Sequence, residues 1–355
     1  MDSMATTSTP IWVLLGNRHG DNQQLLVIAE ALGQPFRAIP VRTNAYRKLP
    51  VWMRASSHVG WRTDEPLTAP WPRIVLAAGR KSVTAARWIR RQSGGYTKLV
   101  HINRPWAPLW WFDLVITTPQ YALPARPNVL SNLMPFLQPS VTPAPECRLP
   151  DAAVSMPRPW TAVLIGGVSG AYVYSDETAR NLAAEVSRQV RQTGGSAWLL
   201  DSPRTPSNIR PILEHSMEVP SQFIHWRNEG REIYRSLLAT ADRFVVTEDS
   251  ASMATEAMLS DRPVSLFKLP VQPSWKRRFA WGWRDAAERA PASLTGRIFA
   301  TLISVGLLTK ARDMRLWHRA LDRAGLLNGD HHPTMWAAQE RERTLARIRA
   351  LMQGV

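Results

Sequence analysis

Short apolar runs alternate with segments of helical period along most of the chain. Residues 11–15 (IWVLL) form a continuous apolar run closed by Gly16, the pattern of a parallel strand buried on both faces. Leu25, Leu26, Ile28, Ala29 and Leu32 then recur at helical spacing within 22–32, and Gly33 stops that helix. A weaker strand is predicted at 37–41, and others at 73–78, 98–102 and 114–117, with a helix at 82–91. After a stretch carrying seven prolines between 135 and 159 the alternation restarts. Strands are predicted at 161–165, 197–200, 222–226, 243–246 and 264–267. Helices are predicted at 176–192, 208–215, 233–240 and 252–259.

This pattern predicts an α/β fold with two doubly wound, Rossmann-like domains. The expected division is 10–140, a Pro-rich linker at 141–160, a second domain at 161–330 and a C-terminal helix at 331–355. Two such domains are expected to face each other across a ligand-binding cleft. Residues 284–352 read as mainly helical. The segment 336–352, with Leu345, Ile348 and Leu351 among arginines, is expected to pack back on the first domain or to lie on a membrane surface.

Composition adds one strong signal. Forty-four Lys and Arg against 28 Asp and Glu give a net charge of +16, which implies an acidic partner. Sixteen tryptophans beside that charge suit an anionic lipid interface, above all in the Lys-Arg-Arg-Phe-Ala-Trp-Gly-Trp-Arg run at 276–284. The same excess is equally the mark of a codon bias. No helix-turn-helix, zinc-finger or RNA-recognition signature is present, so nucleic acid is not expected. The single cysteine, Cys147, builds neither a disulfide nor a zinc site, and a loop position is expected for it. No secretory signal or spanning segment is read, so a cytoplasmic protein, peripheral on a membrane at most, is expected.

The sharpest motif runs from Val245 to Ala257: an apolar strand, the polar turn Thr247-Glu248-Asp249-Ser250, and a helix containing Ser252, Met253 and Glu256. A helix start offers unpaired N–H groups and the positive end of its dipole to a phosphate, and Ser250 and Ser252 add hydroxyl donors. The plainer reading is helix capping by serine. Glu256, about one turn on, can accept from a ribose hydroxyl pair. Ile165-Gly166-Gly167-Val168-Ser169-Gly170 follows a strand too, and its glycines permit close backbone approach to an anion. Arg204 follows another strand and can reach a diphosphate. Residues 225–228 end a further one, where Trp226 can stack on a base.

In the first half, Gly16-Asn17-Arg18-His19-Gly20-Asp21 holds the two general-base candidates, His19 and Asp21, although Asp21 also reads as a helix N-cap. Arg80 and Lys81 open a helix against its dipole preference, a conflict that a bound acceptor phosphate or carboxylate removes.

Gly16 to Asp21 with Gln23-Gln24, Ala78 to Lys81, Asn103-Arg104-Pro105, Ile165-Gly166-Gly167, and above all Val246 to Met253 with Glu256-Ala257 resemble the mitochondrial-fission "elongated mitochondria" family. The resemblance runs from about Ile11 to Leu266. It implies a GT-B glycosyltransferase-type fold with C-terminal helices. A nucleotide-sugar, as substrate and not cofactor, is implied in the second domain, at Gly166, Gly167, Ser169, Arg204, Thr247, Glu248, Ser250, Ser252, Met253 and Glu256. An acceptor, a membrane or envelope component, is implied in the first, with Arg80 and Lys81 binding it and His19 or Asp21 deprotonating it. With helix dipoles and Arg204 on the leaving diphosphate, no metal is required. The alternative is a non-catalytic scaffold on a membrane surface, since the plant member is described as recruiting a dynamin-related protein.

Overall fold

The computed structural model describes residues 9–44, 56–138, 155–227, 230–308, 312–327 and 331–354. Contacts divide the chain into two compact units. The first takes the chain up to Phe136, Phe279–Asp313 and Gln339 onward; the second takes Leu137–Arg278 and Met314–Ala338. Residues 279–313, read from the sequence as part of 161–330, therefore pack with the first unit. Cys147 and residues 141–154 of the Pro-rich stretch lie outside the described residues.

In the first unit β1 (Ile11–Leu15) leads into α1 (His19–Ala31) and β2 (Phe36–Pro40). The short strands β3 (Arg42–Thr43) and β4 (Trp61–Arg62) pair antiparallel in a separate ribbon. Then come β5 (Ile74–Ala78), α2 (Gly79–Gln92), β6 (Lys98–Ile102), β7 (Leu114–Thr117) and β8 (Val129–Ser131). The main sheet is wholly parallel in the order β2-β1-β5-β6-β7-β8. Its continuous apolar strands have a direct physical reading. Side chains alternate between faces, so Ile11 and Val13 enter one core with Leu25, Ile28 and Ile74, while Trp12 and Leu14 enter another with Val75, Val83 and Ile89. Each such buried side chain contributes about 1.5–3 kcal/mol.

Much of the tryptophan excess is core. Trp61, Trp198 and Trp317 are fully buried, and Trp12, Trp71, Trp88 and Trp61 form a chain of ring contacts. Arg87 stacks on Trp111 and Arg158 on Trp160, at 3.5 and 4.0 Å from the ring centres.

The second unit runs β9 (Trp160–Leu164), α3 (Asp176–Thr193), β10 (Ser196–Leu200), α4 (Ile209–Ser216), β11 (Ser221–Ile224), α5 (Gly230–Thr240), β12 (Arg243–Thr247), α6 (Ala251–Met258) and β13 (Val264–Phe267). Ser175 caps α3 by accepting from Thr178 N–H at 3.2 Å. All five strands are parallel in the order β11-β10-β9-β12-β13, the doubly wound order in which the chain reverses direction beside its first strand.

Four helices complete the chain: α7 (Trp275–Arg289), α8 (Leu294–Ser304), α9 (Met314–Arg323) and α10 (Pro333–Gln353). From Glu340 onward α10 packs on the first unit. Leu345 and Ile348 enter its core, Glu340 accepts from the N–H groups of Leu133 and Met134, and Asn132 donates to Thr344. That apolar face is thus used inside the protein, which removes the reading of 336–352 as a helix lying on a membrane. Among the described residues no helix is long and apolar enough to cross a membrane.

Candidate functional site

In a doubly wound sheet the crevice opens where the strand order reverses, outside the carboxyl ends of the strands. In the second unit that point lies between β9 and β12. It brings together the two motifs that stand 80 residues apart in the sequence. Thr247, the last residue of β12, accepts from Gly166 N–H at 2.8 Å. Asp249 accepts from Gly167 N–H at 2.9 Å, from Tyr174 OH at 2.8 Å and from Thr247 OH at 2.8 Å. Its side chain is wholly buried, with the Arg204 guanidinium 3.6 Å away. Burial, and then the charge of Asp249, push the Tyr174 phenol far above its ordinary value, so it stays a donor.

This network corrects the reading of the glycine turn. The N–H groups of Gly166 and Gly167 bond to Thr247 and Asp249 rather than waiting for a ligand. Neither glycine has a positive φ. They are glycines because the backbone is crowded: a Cβ on Gly166 would lie 2.2 Å from the Asp249 carboxylate, and one on Gly167 would lie 2.1 Å from the Arg204 carbonyl. The loop after β10 closes the cluster, with Ser202 donating to Gly166 O at 2.9 Å and Val168 N–H to Arg204 O at 3.2 Å. Ser169 is half-buried in the same turn.

At the start of α6, Ser250 occupies the N-cap position, yet its hydroxyl makes no capping bond. The N–H groups of Ala251, Ser252 and Met253 meet no protein acceptor among the described residues. Ser252 and Met253 are half-buried in that first turn, and the half-exposed Arg204 side chain belongs to the adjoining loop. The other two carboxylates of the motif also have protein partners. Glu248 accepts from Leu269 N–H at 2.9 Å and lies 3.4 Å from His318 Nδ1 on α9; burial raises its pKa. Glu256 accepts from Tyr234 OH, and burial raises its pKa as well, so the ribose role expected of it competes with an internal bond. Asp201, directly after β10, holds His225 Nδ1 and Trp226 N–H, which follow β11, both at 2.6 Å and so fixes the half-exposed Trp226; Asn228 lies outside the described residues.

The first unit reverses between β1 and β5. Helix α1 starts at His19, with Arg18 at the N-cap, so Asp21 sits inside the first turn and is not the cap. Asp21 accepts from Asn103 Nδ2 at 3.0 Å and lies 3.8 Å from a Cβ built on Gly79. Burial raises its pKa, opposed by Arg18, the Asn103 bond and Arg312 in turn. His19 is exposed, as is Arg80; Lys81 is half-buried. Helix α2 has no acidic residue in its first turn and no side-chain cap.

His101, fully buried, spans the Gly79 and Asn103 carbonyls at 3.3 Å, and burial drives its pKa down to about 4. The neutral ring therefore has one N–H and donates to only one of the two carbonyls. Asn103 itself has φ 63°, and Trp106 and Ala122 on neighbouring loops are also left-handed. Such backbone outliers cluster at functional sites. Asp249, Tyr174 and His101 were missed by sequence reasoning. The one available signal was an aspartate placed inside a turn of otherwise ligand-like residues. Among the described residues, no group of three or more His, Cys, Asp or Glu side chains is placed to hold a metal.

Comparison with known proteins agrees with this picture at the level of family. The chain is 28% identical over 218 residues to the mitochondrial fission protein ELM1 of Arabidopsis thaliana, covering 54% of this chain and 51% of that protein. The match thus spans about half the length of the plant relative. It is 22% identical over 308 residues to the uncharacterized protein RP120 of Rickettsia prowazekii, covering 76% of this chain and 86% of that one. Among solved structures, a candidate UDP-N-acetylglucosamine 2-epimerase of Listeria monocytogenes aligns over 98% of each chain, at 12% identity and a TM-score of 0.49; a likeness at that level transfers no ligand or activity. The family model described as "Mitochondrial fission ELM1" matches residues 19–291, and the chain belongs to that family.

Proposed function

We propose that the protein binds a nucleotide-activated sugar at the strand reversal of its second unit, and that its first unit serves an acceptor whose hydroxyl Asp21 deprotonates. This is the GT-B glycosyltransferase reading. The observation that carries it is the start of α6. Its N–H groups have no protein acceptor, its N-cap serine makes no cap bond, and Arg204 stands on the adjoining loop. A diphosphate needs that combination: a helix dipole, backbone donors and one guanidinium.

The Thr247–Asp249–Tyr174 network holds the turn rigid, so that the donors are in place before the ligand arrives. In the transfer, the bond from the sugar's anomeric carbon to the diphosphate oxygen breaks. The acceptor oxygen bonds to that carbon, its proton goes to the Asp21 carboxylate, and the diphosphate leaves with the charge that the α6 dipole and Arg204 stabilise. Burial, which raises the Asp21 pKa, makes it a stronger base than a solvated carboxylate. His19, being exposed, is the weaker candidate for that role.

Calorimetric titration with a panel of nucleoside diphosphates and nucleotide-sugars tests the donor site. One base and sugar bind selectively, and Arg204→Ala weakens that affinity about tenfold, the equivalent of about 1.4 kcal/mol. A folded protein that binds none of the panel overturns the reading and favours the scaffold.

A further inference from the structure

Exposed large apolar side chains are densest along one stretch. Of the exposed ones among the described residues, Trp275 (74%), Phe279 (63%), Leu294 (74%), Ile298 (43%) and Leu307 (61%) all fall between positions 275 and 307. Helices α7 and α8 pack on each other there. The Trp283 ring lies 6.0 Å from that of Phe299, and its indole N–H donates to Thr295 O at 3.4 Å. Ala287, Phe299 and Ile303 supply the small core of the pair, with Leu123 and Leu308 against it. Phe279, Leu294 and Ile298 stay outside that core. Phe279 and Trp283, one turn apart, are in ring contact at 5.8 Å and line an open groove of about 480 Å³ with Gly282. Leu294 and Ile298 share one face of α8 by the same spacing.

The charge around these side chains is one-sided. Positions 275–307 carry six cations against two carboxylates. Both carboxylates, Asp285 and Glu288, lie within 4 Å of the buried Arg284 guanidinium, which also pairs with Asp313. Lys276, Arg278, Arg289 and Arg297 are exposed.

We propose that the face formed by α7 and α8 docks on an anionic lipid bilayer, with Phe279, Leu294 and Ile298 entering the headgroup region and Arg289 and Arg297 meeting lipid phosphates. Apolar anchors rimmed by arginine are what such a surface selects. A second copy of this chain is a poor occupant, because an isologous contact would set the same cations against each other. The inference does not rest on donor binding.

Sedimentation of the full chain with vesicles tests it. Wild-type protein is carried down by phosphatidylcholine mixed with phosphatidylglycerol, is not carried down by phosphatidylcholine alone, and is released by salt. Phe279→Ser with Leu294→Ser lowers that binding about tenfold or more, with unchanged thermal melting. Arg289→Glu with Arg297→Glu does the same and stands in if the first variant fails to fold. No binding to the mixed vesicles overturns the proposal. So does full binding by the folded variants, which would place the contact elsewhere. Self-association without vesicles that the first variant abolishes would make a second copy the occupant and overturn it too.

Discussion

Both sheets are parallel and reverse direction beside their first strand, and each has a carboxylate near that reversal, yet the two acids are used differently. Asp249 is surrounded by donors: one backbone N–H, two hydroxyls and a guanidinium nearby. Asp21 is half-buried with one side-chain donor among the described residues, Asn103, and its pKa rises. A carboxylate whose lone pairs are filled is a structural anchor, whereas one that is desolvated and under-bonded is available to take a proton. Counting donors separates scaffold from chemistry where the fold alone does not.

Breaking the anchored side has the largest effect. Asp249→Ala leaves Gly167 N–H, Tyr174 OH and Thr247 OH without their shared acceptor, and is expected to cost about 3–5 kcal/mol in denaturant unfolding. Gly167→Ala forces a Cβ into the Arg204 backbone, which cannot swing aside as a side chain can, and is expected to cost about 3 kcal/mol.

The same residues show what was legible in the sequence. The apolar runs at 11–15, 73–78 and 98–102 gave their strands, because a strand buried on both faces carries its signal locally. The turn after β12 and the glycine pair after β9 were each singled out. That they bond to each other was hidden, because adjacency of β9 and β12 is a property of the sheet order and not of either segment. Helix starts moved for a local reason. Gly79, with φ 71°, and His19 begin helices three residues ahead of the apolar periodicity, since a first turn needs no buried face. Burial of Asp249 and the Tyr234 bond to Glu256 depend on side chains brought from elsewhere, so no spacing rule reveals them.

Changing the chemical side is expected to leave the fold intact. The folded-state pKa of Asp21 is raised above its unfolded value, so the ionised form is disfavoured by folding. Stability therefore falls as pH rises from the unfolded pKa through the folded one, and the cost is fully present above the folded pKa. Asp21→Asn retains an oxygen for Asn103 and removes the half-buried charge. Its unfolding free energy at neutral pH is expected to equal or slightly exceed that of wild type. The acid limb of any transfer activity is expected above the ordinary carboxylate range and absent in the variant.

The most direct measurement of the central claim is a pair of donor titrations by calorimetry, with Asp21→Asn and with Arg204→Ala, against the nucleotide-sugar that wild type selects. The account predicts that Asp21→Asn binds the donor as wild type does while Arg204→Ala binds it about tenfold more weakly. Loss of donor binding in Asp21→Asn with full binding in Arg204→Ala would contradict the assignment of the donor to the second unit.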